Sequence, residues 1–513
     1  MILPNPVETD KNDYRSVVRQ KPERGVGPAP EGSTRRSPGA GGLVANAGMM
    51  VAARYVVAAL GWLGTLVIVR SLTVAEFGQL SFVFSLILLV AVFADLGIGR
   101  LSIKGLLDGE HDPAAFAGTL VVLRAVMGTV TYAATVVFVV VAGYPSDVVR
   151  AMLVAGVALL IATPSRAVEA VFQAHFRLGS VAVANVAGQL SQLALTAAIA
   201  VGGGSVVRFA VPAVLGEVVI IGWKVVRVRR IQPLRLNVDW ATWKGLLAEA
   251  LPLAAGTVMA TLYYRVDSVM LSKLDTFSSV GIYNVAYKFV DLVHYLPSAL
   301  MVPVLALLVR SWPDDMHRFA ETFRRAFMIL VLAGILVAAE FVVFAGPVMG
   351  LLYGRHYAVG ADAARVVVTA ECIGAFGMLA FTVLLAMGRN RLYPMVTLTG
   401  LVVNVGLNLV LIPRASYAGA AVATLVTEIL IVTMLMVTVA RFEALRPLPF
   451  GRAGLALVAG ALSALVAVVA REALPWPVAA VVAAAVYGIL VHLARVPGPQ
   501  GWRALLTESP STK

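Results

Sequence analysis

Residues 280–308 read VGIYNVAYKFVDLVHYLPSALMVPVLALL, 29 residues in which the only formal charges are Lys288 and Asp291. A helix rises about 1.5 Å per residue, so this stretch is long enough to cross a hydrocarbon core of roughly 30 Å. Asn284, Lys288, Asp291 and Tyr295 recur at helical spacing and share one face, with Tyr287 and His294 flanking it. Ionisable residues inside a span are costly and face a cavity or a partner. The stripe therefore predicts a membrane helix with one wall toward a wet cavity. An internal Lys288–Asp291 pair is the plainer account, and the two are compatible.

Working outward, thirteen further apolar segments fall near 43–69, 79–98, 116–143, 148–165, 179–201, 206–226, 245–271, 325–349, 361–386, 392–412, 418–440, 453–470 and 477–494. Alternate loops differ sharply in basic residues. One set, which includes the N-terminal region and the 227–244 connection, holds 29 of the 41 Lys and Arg residues. The opposite set holds 7: Arg70, Arg150, Arg208, Lys273, Arg355, Arg414 and Arg471. Arg54, Arg124, Arg265, Lys288 and Arg365 lie within spans. Positive charge is retained on the cytoplasmic side during insertion, so both termini are expected there. The expected fold is an all-α polytopic membrane protein of about 14 transmembrane helices.

Composition agrees with that class. With 59% hydrophobic and 13% charged residues, a disordered chain is excluded and a soluble globule disfavoured. The net charge of +13 reads as a topology signal with weak attraction to membrane lipid. No basic stripe is interleaved with exposed aromatics, so no nucleic-acid partner is expected. The single Cys372 permits no internal disulfide, and no His/Cys/carboxylate cluster has metal spacing. No metal or cofactor is expected. Residues 1–42 are rich in Pro, Gly and charge, which predicts a disordered cytoplasmic tail and not a cleavable signal peptide. The remaining organisation is read as an N-lobe over 43–226, a cytoplasmic linker over 227–244, and a C-lobe over 245–440. Two added spans follow over 441–494, then a cytoplasmic tail over 495–513. Trp240 and Trp243 mark an interfacial helix near the linker. Outward loops are short, no Walker-type phosphate loop is present, and no nucleophile–base constellation appears, so no enzymatic activity is expected.

The first twelve spans read as two copies of six. Arg70-Ser71-Leu72-Thr73-Val74-Ala75-Glu76-Phe77-Gly78 follows span one, and Lys273-Leu274-Asp275-Thr276-Phe277-Ser278-Ser279-Val280-Gly281 follows span seven with the same step from base to glycine. Further along, an offset of 212 pairs Arg177 with Arg389, Asn185 with Thr397, Gly188 with Gly400, Gln192 with Asn404, and Thr196 with Asn408. Asn185, Gln189, Gln192 and Thr196 share a helical face on span five, as Thr397, Gly400, Asn404 and Asn408 do on span eleven. Glu217 and Glu428 sit one residue off that offset in spans six and twelve. Six spans per copy preserve orientation, so two pseudo-symmetric lobes related by an axis along the membrane normal are expected. Transporters place substrate cavities between such repeats, whereas small and polar residues also serve plain helix packing.

Arg54 lies about eleven residues inside span one, roughly 16 Å along its axis and too deep for easy snorkelling. Arg124 is nearer a span end, where snorkelling competes with a cavity role. Arg265 and Asp267 point to opposite sides of span seven and are not expected to pair. Guanidinium and ammonium groups in a closed cavity attract phosphate. Glu217, Glu340, Glu371 and Glu428 are candidate proton or cation sites, with hydrogen bonding between helices as the alternative for each. Asp95-Leu96-Gly97 reads as a helix terminus. Spans 453–470 and 477–494 carry no charge within the membrane and are expected to lie at the periphery.

A set of segments spread over 43–440 carries a further signal: Arg70-Ser71-Leu72, Glu76-Phe77-Gly78, Asp95-Leu96-Gly97 and Arg265-Val266-Asp267. It continues with Val280-Gly281-Ile282-Tyr283, Ala286-Tyr287-Lys288, Leu352-Tyr353-Gly354 with Tyr357, and Ala386-Met387-Gly388-Arg389. Asn404, Asn408, Leu411-Ile412-Pro413, Gly419-Ala420-Ala421 and Glu428 complete it. In this order the chain resembles the bacterial polysaccharide and oligosaccharide flippases. Their superfamily also holds multidrug and toxin extrusion transporters and peptidoglycan-precursor flippases. The resemblance implies two six-helix lobes around a central cavity, with the two extra C-terminal helices outside them. It implies movement of undecaprenyl-diphosphate-linked oligosaccharide across the bacterial cytoplasmic membrane by alternating access. Arg54, Arg124, Arg265, Lys288, Asn284, Asp291, Tyr295, Asn185, Gln192, Asn404 and Asn408 are the expected substrate-binding residues. Glu217 and Glu428 are candidates for ion coupling. A polyprenyl-diphosphate-linked glycan and membrane lipid are the expected partners, polymerase or ligase machinery is a candidate one, and a monomer is expected. The rival readings are a drug or cation antiporter or a peptidoglycan-precursor flippase of the same superfamily.

Overall fold

The computed structural model describes residues 40–108, 112–389, 392–446 and 450–496. The expected tail at 1–42 therefore lies outside the described residues apart from its last three positions, and so does most of 495–513. The described elements are all helical, in the order α1 (Ala40–Ser71), α2 (Val74–Asp95), α3 (Ile98–Leu107), α4 (Pro113–Val141), α5 (Ser146–Ala174), α6 (Leu178–Val201) and α7 (Val211–Val228). They continue with α8 (Trp240–Leu274), α9 (Phe277–Ser311), α10 (Met316–Tyr353), α11 (Ala361–Ala386), α12 (Leu392–Ala440), α13 (Phe450–Ala473) and α14 (Trp476–Leu493). Asn46 onward forms one compact unit.

Helix starts follow local chemistry. Thr73 caps α2 in a capping box with Glu76, and Thr276 caps α9 through its hydroxyl to the Ser279 amide. The two repeated motifs are thus the same device, a threonine-capped helix entry after a basic residue. Asp112 with Pro113 opens α4, Asp239 opens α8 and Asp315 opens α10. α2 ends at Asp95, with Leu96 and Gly97 both in the left-handed region (φ 40° and 74°), as the Asp95-Leu96-Gly97 reading anticipated.

Among the described residues, 12 helices are long and apolar enough to cross a membrane, or 13 when the bent pair in α8 is taken as one span. That measure counts the kinked Leu392–Ala440 element once, so it neither confirms nor contradicts the expected 14. Residues 392–412 and 418–440 were expected as two spans. Both are present: Leu392–Ala440 is two helices meeting at a kink at Ser416 (φ 54°, ψ −140°), folded back so that Gly400 of the first packs on Ile431 and Thr427 of the second. Span seven is corrected. Trp240–Leu251 and Ala254–Leu274 meet at 60°, so the start of the expected 245–271 span belongs to a separate segment. Trp243 of that segment is buried with Ile98, Leu101, Phe116 and Leu246, while Trp240 is exposed. α3, an amphipathic helix between two spans, had no counterpart in the sequence reading.

The two halves close on each other at the end bearing Arg70 and Lys273. A Cβ on Gly78 would lie 1.7 Å from the Phe277 carbonyl oxygen, and one on Gly281 would lie 2.5 Å from the Val74 carbonyl oxygen. The repeated glycines are therefore the reciprocal crossing point of α2 and α9. Around them Ser85 meets Asn284 at 3.3 Å, Tyr144 meets Ser272 at 2.9 Å, and the Phe82 and Tyr144 rings stack at 4.6 Å. Lys273 donates to the Ala142 carbonyl and sits 3.7 Å over the Tyr144 ring. α13 and α14 pack on α10: a Cβ on Gly460 would meet Ile335 at 2.4 Å, and the Tyr487 hydroxyl donates to the Leu332 carbonyl at 3.0 Å.

Helix packing within each half repeats too. A Cβ on Gly188 of α6 would meet Ile220 at 2.4 Å and the Gly216 carbonyl oxygen at 2.9 Å. On Gly400 of α12 it would meet Ile431 at 2.4 Å and Thr427 at 3.6 Å. Both glycine positions thus serve close helix approach, and the repeat is visible in paired contacts as well as in sequence.

Candidate functional site

Helices α1, α8 and α9 bring together one open polar group. Asp291 of α9 lies 3.8 Å from Arg265 of α8 and 3.9 Å from Lys288 one turn earlier. Two cations share one carboxylate, so the triad carries a net positive charge. The side chains of Arg265, Lys288 and Asp291 are 27%, 36% and 42% exposed, and both separations are long for ion pairs. The group is loosely held and accessible, as an anion site with an internal counter-charge would be. Tyr295, one turn beyond Asp291, packs its ring 5.7 Å from that of Tyr55. This contact seats α1 beside the triad. Arg54 precedes Tyr55, is exposed, and has no ion pair among the described residues.

Other expected site residues lie elsewhere. Asn284 is buried between the halves: its amide donates to the Val280 carbonyl at 2.9 Å, and its oxygen meets Ser85 and Ser268. Arg124 is 1% exposed and paired to Asp95 at 2.7 Å, with Arg166 at 3.9 Å from the same carboxylate. Its charge is already committed within α2, α4 and α5. Asn185 and Gln192 on α6 are half-buried. Glu217 on α7, also half-buried, precedes Lys224 by two helical turns. Lys224 binds Glu169 at 2.8 Å and Ser165 at 3.2 Å.

Asn404 and Asn408 are both fully buried, and they surround a residue whose role the sequence reading missed. The Asp267 carboxylate accepts from Asn408 at 2.7 Å, from the Tyr283 hydroxyl at 2.7 Å and from Thr424 at 2.9 Å. Asn408 also donates to Asn404 at 2.9 Å. Arg265, two positions away, turns to Asp291 instead, so the expectation that Arg265 and Asp267 do not pair agrees with the geometry. Among the described residues, no group of three His, Cys, Asp or Glu side chains is placed to hold a metal ion.

Glu428 occupies a third environment. It is buried and accepts from the Tyr263 hydroxyl at 2.7 Å. A cavity of about 90 Å³ beside it is lined by Tyr264, Phe381 and Tyr393. Nearby, His294 sits 2.7 Å from the buried Glu371. Lys288, Asp291, His294 and Tyr295 therefore place an anion-attracting group and a titratable group on successive turns of α9.

Comparison with known proteins bears on the family and the fold. The model of a family described as "Polysaccharide biosynthesis protein" matches residues 67–362. No curated protein sequence matches the chain significantly. Among solved structures, the lipid II flippase MurJ in an inward-closed conformation superposes with a TM-score of 0.73 at 11% identity, covering 87% of this chain and 98% of that one. An inward-facing multidrug resistance transporter of the MATE family and MOP superfamily gives 0.62 at 15% identity, covering 75% and 95%. A MOP superfamily transporter from Pyrococcus furiosus, whose binding pocket is described as of reversed polarity, gives 0.52 at 13% identity, covering 78% and 95%. At such identities the likeness concerns the fold.

Proposed function

We propose, starting from the fact that this chain belongs to the polysaccharide biosynthesis protein family, that it is a flippase without enzymatic activity. Its substrate is an undecaprenyl-diphosphate-linked oligosaccharide, moved across the bacterial cytoplasmic membrane by alternating access. Both termini are assigned to the cytoplasm from the distribution of Lys and Arg. The observation that carries the reading is the open triad of Arg265, Lys288 and Asp291 beside the exposed Arg54. A diphosphate is the densest charge on such a substrate, and it must leave water to cross. Arg offers it a bidentate fork and Lys a point charge, while Asp291 holds the two cations in its absence. The Gly78–Gly281 crossing is the closed side of the cycle and must part for release. Tyr295 is assigned to the glycan. Asn185 and Gln192 are assigned to the N-lobe wall, and Glu217 and Glu428 to ion coupling.

The aromatic and acidic surroundings of Glu428 favour the rival, a cation or drug antiporter. Against that rival, drug-sized ligands occupy pockets of roughly 300–1,000 Å³, whereas the Glu428 cavity is about 90 Å³ in this conformation.

The test uses Arg54→Ala and Lys288→Ala at matched membrane abundance, with binding and transport of a lipid-linked glycan measured separately. A charge-assisted hydrogen bond is worth roughly 1.5–3 kcal/mol, so each variant should bind about ten- to a hundredfold more weakly. Arg54→Lys, which keeps charge and loses the fork, should be partly active. Asp291→Asn should bind substrate and release it slowly. Wild-type transport by both alanine variants would make these cations structural.

A further inference from the structure

Three titratable side chains from three helices meet just beyond the anion triad. The His294 Nδ1 of α9 lies 2.7 Å from Oε1 of Glu371 on α11. The imidazole is 39% exposed and Glu371 only 6%, so His294 faces the open side and the carboxylate lies behind it. Glu428 of α12 approaches the same turn of α11. A Cβ on Gly374, one turn after Glu371, would lie 2.9 Å from Oε2 of Glu428, so the glycine makes room for the second carboxylate. Both carboxylates line a single small cavity of about 10 Å³ together with Tyr287.

The charges around this group do not balance. Tyr263 of α8 donates to Glu428, and Tyr264 faces His294 with ring centroids 6.4 Å apart. From α9 come Asp291 and Tyr287, from α11 Cys372 beside Glu371, and from α12 Tyr393 across the larger cavity. None of these is a cation. Arg265 and Lys288 pair with Asp291. Two buried carboxylates and one imidazole cannot all be deprotonated without leaving uncompensated charge in a low-dielectric interior. A short imidazole–carboxylate contact is a proton holder, and these residues do not form a metal cage.

We propose that His294, Glu371 and Glu428 form one proton-binding site in the C-lobe, entered through His294 and lying one helical turn from the diphosphate-binding residues. Its part in transport rests on the flippase reading; its existence does not. Loading the site alters the field at Asp291 on the same helix, which links proton binding to the hold on Lys288 and Arg265.

The experiment follows the His294 ring by 15N NMR in the full chain in nanodiscs. The six histidines are resolved by comparison with His294→Gln. His294 should titrate, with a midpoint that depends on its two carboxylate neighbours. In Glu371→Gln it should need about tenfold more protons to do so, since an opposite charge within hydrogen-bond reach shifts such an equilibrium by one unit or more. Glu428→Gln should produce a smaller shift in the same sense. Gly374→Ala, which changes no charge and presses on Glu428, should also move the midpoint. A His294 that does not titrate, or that titrates identically in wild type, Glu371→Gln and Glu428→Gln, overturns the proposal. No substrate enters this readout, so its failure is separate from failure of the flippase reading. In vesicles that transport, His294→Gln should abolish dependence on an imposed pH gradient, whereas a purely structural histidine would leave that dependence in place.

Discussion

The polar faces of α6 and α12 occupy equivalent places in the repeat and differ in how far their amides are closed off. On α12, Asn404 and Asn408 are sealed around Asp267, with Tyr283 and Thr424 completing the set. On α6, Thr196 is buried but Asn185, Gln189 and Gln192 stay half-buried. The register that aligns Arg70 with Lys273 and Gly78 with Gly281 sets Gly64 opposite Asp267. A Cβ on Gly64 would meet only the Leu193 side chain, at 3.8 Å. One carboxylate thus converts a stripe of amides from a wall into a core. Repeated sequence preserved the helix packing while the chemistry of the two halves diverged.

Asp267→Leu should break that difference most severely. It removes the acceptor that Tyr283, Thr424 and one Asn408 N–H share, at a cost of about 2–5 kcal/mol. Thermal unfolding of the purified protein in detergent would report this as a large drop in midpoint. A near-wild-type midpoint would mean that the α12 stripe is no more closed than the α6 one. Gly188→Val and Gly400→Val probe what the halves share. Each new side chain enters a space already filled by Ile220 or Ile431, and each should cost about 1–3 kcal/mol. Comparable losses sharpen the repeat, and a harmless change at one site alone would dissolve it. Gln192→Leu should have the smallest effect, within about 0.5 kcal/mol, because that side chain is half-buried and outside any closed network. A loss as large as that of Asp267→Leu would place a hidden core on α6.

How far the sequence could be read follows from where each signal resides. Spans were legible because length and hydropathy are local, and the Gly78 and Gly281 motifs were legible because a capped helix entry is local too. The 60° break in α8 falls inside an apolar run, so neither length nor hydropathy revealed it. α3 is hard to read because Arg100 and Lys104 interrupt its apolar residues, although Ile98 and Leu101 are spaced to share one face. Asp267 was paired in thought with Arg265 and found wanting, whereas its partners Asn408 and Thr424 lie 141 and 157 positions away. Lys288 with Asp291 was legible as a local pair, but Arg265 as their third member required the packing of α8 on α9. Arg124 looked available only while Asp95 was read as a mere helix end.

Transport itself tests the central claim most directly. The purified chain would be reconstituted in liposomes carrying a fluorescent undecaprenyl-diphosphate-linked oligosaccharide in one leaflet. Arrival in the other leaflet would be followed with an impermeant quencher, for several glycans and with a cationic drug as comparison. The account predicts protein-dependent movement of at least one lipid-linked glycan, lost in the Arg54→Ala, Lys288→Ala double variant and unaffected by the drug. Vesicles with and without protein that are indistinguishable for every glycan, while the drug moves, would contradict it.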